Sequence, residues 1–190
     1  MPALDGLLIA DFTRVLAGPY ATMLLADLGA QVIKVERPGV GDDTRAWAPP
    51  FDPEGHATYF QSVNRNKRSV TLDLTDPTEG GLARELAARA DVMIHNFRPG
   101  HMARYGLDYP TVSAANPGIV YAEISGFGDG AGAALPGYDL LVQAVGGLMS
   151  ITGEPGAPTK VGVALVDVLA GLHVTVGLLA AQESRHRTGT

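Results

Sequence analysis

One run of the chain, residues 161–181 (VGVALVDVLAGLHVTVGLLAA), is almost wholly apolar and carries two ionisable side chains, Asp167 and His173. A carboxylate in such a run is costly to bury unless something compensates its charge. The run is long enough to span a membrane, but an Asp inside a span is rare and expensive, and no other stretch is comparably apolar. The better division leaves residues 160–166 extended and lets Asp167 open a helix that continues towards Arg187. Asp is a favoured N-cap, and free helix N–H groups would keep it ionised. Two roles for Asp167 follow: a structural cap, or a desolvated carboxylate nucleophile held at a helix N-terminus.

Length and composition narrow the classes. A chain of 190 residues fits one domain with a real core, and 46% hydrophobic against 18% charged residues is a globular balance. A net charge of −6 argues against general nucleic-acid binding, so any anionic ligand must be met by local Arg and Lys groups. With no cysteine there are no disulfides, thiolate metal sites or Cys nucleophiles, and the five histidines are scattered without metal-ligand spacing. No metal is expected. The N-terminus MPALDGLLIADF lacks the basic region of a signal peptide, which makes a cytoplasmic location and no membrane association the expectation.

Strand and helix signals alternate. Residues 7–11, 31–36, 69–74, 92–95 and 119–124 read as strands, and 20–28, 78–89, 109–116 and 138–149 as helices. Pro77 and Glu79 suit the first turn of the helix that Asp76 opens. Strand, helix and strand within the first 36 residues make a βαβ unit, so the fold class is α/β: an open, Rossmann-like, mostly parallel sheet flanked by helices. Ligands of such sheets bind beyond the carboxyl ends of the strands, which selects the loops FTRVLAGP, ERPGVGD, HNFRPG and SGFGDGAG.

A dinucleotide site is the first hypothesis to test there. Glu36 ends the second strand where a ribose-binding acid would sit, but the first βα turn has no G-x-G-x-x-G. Residues 126–131 match G-x-G-x-x-A, yet no helix opens after them, so the match reads as chance in a chain with 24 glycines. Arg37, Lys67, Arg68, Arg98 and Arg104 lie at or near strand ends, where Arg suits phosphate recognition, although solvated surface charge is the commoner role for any one alone. Asn96-Phe97 beside them offers an amide and a ring for packing.

The segments LDGLLIADFTRVLAGPYATMLLADLGAQVIKVERPGVGDDTR, NRNKRSVTLDL, ADVMIHNFRPG, NPGIVYAEISGFG, GYDLLVQAVGG and VALVDVLAGLHVTVGLLAAQESRHRTG together resemble the family III CoA-transferases, the group of formyl-CoA and carnitine CoA-transferases and their relatives the α-methylacyl-CoA racemases. The resemblance implies that residues 1–190 are the N-terminal portion of the family's Rossmann-like CoA-binding domain, without the small domain and the C-terminal return segment. It implies transfer of CoA between an acyl-CoA thioester and a carboxylic acid through aspartyl anhydride and aspartyl-CoA thioester intermediates. Asp167 falls on the nucleophile. Arg37 and Arg104 match positions that meet the nucleotide end of CoA; Asn96, Phe97 and Arg98 its binding loop; Leu72, Asp73, Leu74 and Thr75 another contact segment. Leu16 and Ala17 match the loop near the thioester, and Pro136, Gly137, Tyr138 and Asp139 the stretch beside the pantetheine and the catalytic centre. Transferases often carry His and Gln where this chain has Arg14 and Leu16. Coenzyme A is then a substrate, with no prosthetic group, and the full-length family forms interlocked homodimers.

Two alternatives stand beside this reading. Racemases of the family place His where Tyr138 stands, and a Tyr with a pKa near 10 is a poor proton-transfer partner, which favours the transferase. The other is a truncated CoA-binding or interaction module without catalysis. The expectation for the 190 residues alone is part of the CoA surface, the nucleophile, and little or no turnover.

Overall fold

A computed structural model describes residues 1–189. Strands β1 (Leu8–Asp11), β2 (Gln31–Glu36), β3 (Lys67–Thr71), β4 (Val92–His95) and β5 (Val120–Glu123) form a wholly parallel sheet in the order β3-β2-β1-β4-β5. Helices α1 (Ala17–Asp27), α2 (Thr58–Asn64), α3 (Pro77–Arg89), α4 (Tyr109–Ala115), α5 (Asp139–Val145) and α6 (Leu165–Thr188) complete it, with a small antiparallel hairpin β6 (Gly153–Glu154) and β7 (Ala157–Pro158). The expected open α/β sheet is therefore present. Successive strand residues point to opposite faces. Ile9, Val92 and Ile94 pack with Leu25 of α1 and Leu178 of α6. Ala10 and Met93 pack with Ala83 and Ala87 of α3 and Val112 of α4 on the other side.

Several boundaries differ from the sequence reading, each for a local reason. β3 begins at Lys67 and ends at Thr71, because the Asp73 carboxylate accepts from Thr75 N–H (2.8 Å) and turns the chain. α5 stops at Val145, before Gly147 enters the left-handed region at φ 84°. α6 begins at Leu165, so residues 165 and 166 are helical and Asp167 lies inside the first turn, where it is not the N-cap. That position belongs to Ala164, and the capping carboxylate comes from Asp139 of α5: its Oδ1 accepts from Val166 N–H at 2.8 Å.

α6 is long and apolar enough to cross a membrane by composition, but one stripe of it (Gly171, Thr175, Leu178) is buried in this fold. Gly171 lets it approach α1 closely: a Cβ there would stand 2.6 Å from the carbonyl oxygen of Ala17. Its far end is tied to the start of β4, where Arg185 donates to Asp91 Oδ1 (2.8 Å) and to the Gly118 carbonyl (3.0 Å). The outward side leaves Leu169, Leu172 and Val176 exposed.

Four charged groups are sealed under the carboxyl end of the sheet. Lys34 of β2 pairs with Asp42 at 2.8 Å and donates to the Thr13 carbonyl at 2.8 Å. Lys67 of β3 lies 3.3 Å from Asp11 of β1 and donates to the Pro19 carbonyl and Asn64 Oδ1. All four side chains are at most 2% exposed. Lys67 is thus neither a phosphate contact nor a surface charge. Burial alone would push the Asp11 carboxyl up; Lys67, Lys34 and the hydroxyls of Thr13 and Thr22 together hold it below its ordinary value. Burial draws Lys67 down to about 8, against the pull of Asp11.

Removing one partner of a buried pair strands the other. Lys34→Met is expected to lower unfolding free energy by about 3–5 kcal/mol, read from urea denaturation. Gly171→Ala must push α6 off α1 and is expected to cost about 1–3 kcal/mol in the same assay.

Candidate active site

A cleft of about 740 Å³ opens over the carboxyl ends of the strands, on both sides of the β1–β4 boundary where the strand order reverses. Its floor is the turn from β1 into α1. Thr13 is fixed by Asp11, whose Oδ1 accepts its N–H at 2.9 Å. Arg14 is fixed from β4, because Asn96 Oδ1 accepts from its N–H (2.9 Å) and Asn96 Nδ2 donates to its carbonyl (2.7 Å). Val15 sits at φ 68°, a left-handed conformation that a β-branched residue adopts only under constraint, and its N–H donates to Asp42 Oδ1 at 3.3 Å. The buried ions of the sheet therefore also shape the cleft floor. Leu16 and Ala17 follow directly on this turn and line the cleft.

The Arg37 end is acidic as well as basic. Glu36 is engaged in a fork with Arg45 (Nε and NH2 both at 2.7 Å), the Ser69 hydroxyl (2.6 Å) and Asp42 N–H (2.8 Å). Burial opposes ionisation, yet these donors hold its carboxyl down to about 2. Glu36 is thus a structural anion and not a free ribose acid. Arg37 is well exposed, lines the cleft and lies 3.6 Å from Asp43. Arg14, which meets the same Asp43 at 3.4 Å, spreads its guanidinium over Phe97 (4.9 Å to the ring centroid) and keeps a buried Nε without a hydrogen-bond partner. Phe97 also stacks on His101, with ring centroids 5.2 Å apart. The sequence reading did not single out Arg14 or His101 as site residues. Arg14 had a signal in its place within FTRVLAGP, whereas His101 follows directly on HNFRPG, just outside the selected loops.

Asn96, Phe97 and Arg98 line the cleft, as do Leu72, Asp73, Leu74 and Thr75 on the turn after β3. Arg104 lies outside the lining, at the exposed end of a 3-10 turn (Met102–Tyr105). Pro136, Gly137 and Tyr138 form the opposite rim, with Tyr138 two-thirds exposed at the N-cap of α5. Gly126 meets this rim backbone to backbone: a Cβ on it would lie 2.3 Å from Gly137 Cα. The G-x-G-x-x-A match at residues 126–131 is a loop-to-loop contact of this kind. Asp139 follows Tyr138 but does not line the cleft, because its carboxylate turns to the head of α6.

Asp167 closes the cleft from α6, half buried. Burial first, and then the charge of Asp139, push its carboxyl up to about 6. A carboxyl of that basicity is mostly ionised at neutral pH and is a better nucleophile than an ordinary Asp. Away from the cleft, Asp52, Glu54 and His56 gather in an exposed turn, where Asp52 accepts from the N–H groups of Glu54 (2.9 Å) and His56 (2.8 Å).

Succinyl-CoA:glutarate CoA-transferase of Mus musculus is 48% identical over 191 residues, covering 100% of this chain and 44% of that protein. Succinyl-CoA:mesaconate CoA-transferase of Haloarcula hispanica is 48% identical over 199 residues, covering 100% of this chain and 50% of that protein. The crystal structure of a CAIB/BAIF family protein from Brucella suis superposes with a TM-score of 0.95 at 47% identity, over 100% of this chain and 51% of that one. The chain spans about half the length of the curated relatives it matches. A family described as CoA-transferase family III matches residues 4–190, and with the fold and these relatives in agreement the chain belongs to that family.

Proposed function

We propose that this chain carries the CoA-binding cleft and the nucleophile of an enzyme that moves CoA from a dicarboxylic acyl-CoA to a carboxylic acid. The observation that carries this is Asp167: a carboxylate lining a cleft of about 740 Å³, at the head of a helix, with its basicity raised to about 6. The dicarboxylate class comes from the relatives named for succinyl-CoA, glutarate and mesaconate.

In this reading a carboxylate oxygen of Asp167 attacks the thioester carbonyl carbon, the C–S bond breaks, and CoA leaves as thiolate with a mixed anhydride formed. The thiolate then attacks the aspartyl carbonyl, releasing the donor as its carboxylate and leaving an aspartyl-CoA thioester. The acceptor carboxylate displaces the thiolate to give a second anhydride. Attack of the thiolate on its acyl carbonyl yields the new acyl-CoA and returns Asp167 to the carboxylate. No proton need be moved, which suits a site with Tyr138 at the position where racemases of the family place His.

Arg37, with Arg98, supplies positive charge at the end of the cleft where the phosphates of CoA would lie. Phe97 and the segment Leu72–Thr75 offer packing and backbone groups to the nucleotide, and Leu16 and Ala17 border the thioester. Arg104, outside the lining, would meet CoA only at its outer edge. The homodimer that the resemblance implies for the full-length family stays part of this proposal.

Incubation with succinyl-CoA and hydroxylamine is expected to leave a hydroxamate on Asp167, detected by peptide mass spectrometry. Asp167→Asn is expected to abolish it and to lower thioester cleavage by roughly three orders of magnitude or more. The rate of adduct formation is expected to rise with pH through about 6, because the ionised form attacks and the folded-state value is raised to about 6. α-Proton exchange in D2O without an adduct would instead assign the racemase chemistry.

A further inference from the structure

The head of α6 is capped from outside the helix. Asp139 Oδ1 accepts from Val166 N–H at 2.8 Å and lies 3.4 Å from Asp167 N–H. Its Oδ2 accepts from Gln143 Nε2 at 2.6 Å. Gln143 is fully buried, and its Oε1 accepts from Val161 N–H at 2.8 Å, so one side chain ties α5 to the segment that leads into α6. Ala164, the N-cap of α6, has no side chain that could do this work. An Asp in the first turn of a helix is ordinarily drawn to the free N–H groups beside it. Here those groups are already occupied, and among the described residues none donates a hydrogen bond to the Asp167 carboxylate.

We propose that Asp139, clamped by Gln143, is a positioning residue for Asp167: it occupies the N–H groups at the head of α6, prevents Asp167 from folding back as a cap of its own helix, and leaves that carboxylate turned to the cleft. The proposal rests on Asp167 being the nucleophile. It also assigns Asp139 a role in the reaction other than contact with CoA. The two carboxylates share one helix end, so each disfavours ionisation of the other. Facing the same corner are Tyr59 of α2 and Asp42 of the loop after β2; burial, then Asp167, Asp139 and Asp42, hold the Tyr59 hydroxyl protonated well above its ordinary value. Asp42 is itself paired with Lys34, which leaves Asp139 as the acid that bears on Asp167.

The test is a carboxyl titration of the 13C-aspartate-labelled chain by NMR, with the Asp167 signal assigned from Asp167→Asn. Asp139→Asn keeps an oxygen for Val166 N–H and removes the charge. Its Asp167 midpoint is expected to fall by about one unit. The acid limb of hydroxamate formation with succinyl-CoA is expected to move down with it, while the rate at the plateau falls several-fold because the carboxylate is less basic. Asp139→Ser, a second neutral variant without the bulk of the amide, gives the same readout if the first does not fold. An unchanged midpoint in a variant with the parent's circular dichroism overturns the proposal, even where the parent still forms the adduct. A parent chain whose midpoint lies near 6 but which forms no adduct at Asp167 overturns the nucleophile reading first, and the positioning role with it.

Discussion

The structure depends on the pairing of two lysine ammonium groups with two carboxylates beneath the carboxyl end of the sheet. Lys34 with Asp42 and Lys67 with Asp11 join three neighbouring strands and the two loops that leave them. Each ion is almost sealed from water, so each must keep its partner. Further hydrogen bonds of these groups reach the backbone of the β1–α1 turn, Pro19 at the start of α1 and Asn64 at the end of α2. The strained Val15 is held by the same Asp42 that neutralises Lys34. Stability and the shape of the ligand site are thus set by one group of charges, and the strain at Val15 is supported by interactions already required for folding.

Carboxylates in two opposite environments divide the labour. Glu36 and Asp11 are surrounded by donors and are held as permanent anions. Asp167 is surrounded by apolar groups and another acid, and is held close to the point of protonation. Carboxylates of the first kind are structural whatever their place in a motif, as Glu36 shows by ending β2 where a nucleotide-binding acid would stand. Carboxylates of the second kind are unfavourable for folding and point to chemistry.

The order of strands and helices was legible because a buried parallel sheet writes itself as short apolar runs, such as LIAD and VMIH, between turn signals. Asp167 stood out for the same reason, as a charge in an apolar stretch. What could not be read locally were partners distant in sequence. Asp139 caps α6 from 28 positions away, so the capping pattern around Asp167 suggested the wrong residue. Lys67 looked like part of a basic surface cluster, NRNKRS, until pairing with β2 drew it inside against Asp11. Arg104 and Asp139 carried the family's pattern yet lie off the lining of the cleft, while Arg14, whose neighbours in space come from β4 and the loop after β2, lies on it.

The anchoring of α6 has a mechanical consequence. Arg185 fastens the helix to the base of the sheet through Asp91 and Gly118, and Asp167 rides near the opposite end. At 1.5 Å per residue the span between them is about 27 Å, so a tilt of only about 2° around the fastened end displaces the carboxylate by roughly 1 Å. A shift of that size is enough to spoil alignment with a reacting carbonyl. α6 is therefore held at both ends, by Arg185 on Asp91 and by Asp139 on Val166, and these two fastenings together set where the Asp167 carboxylate lies.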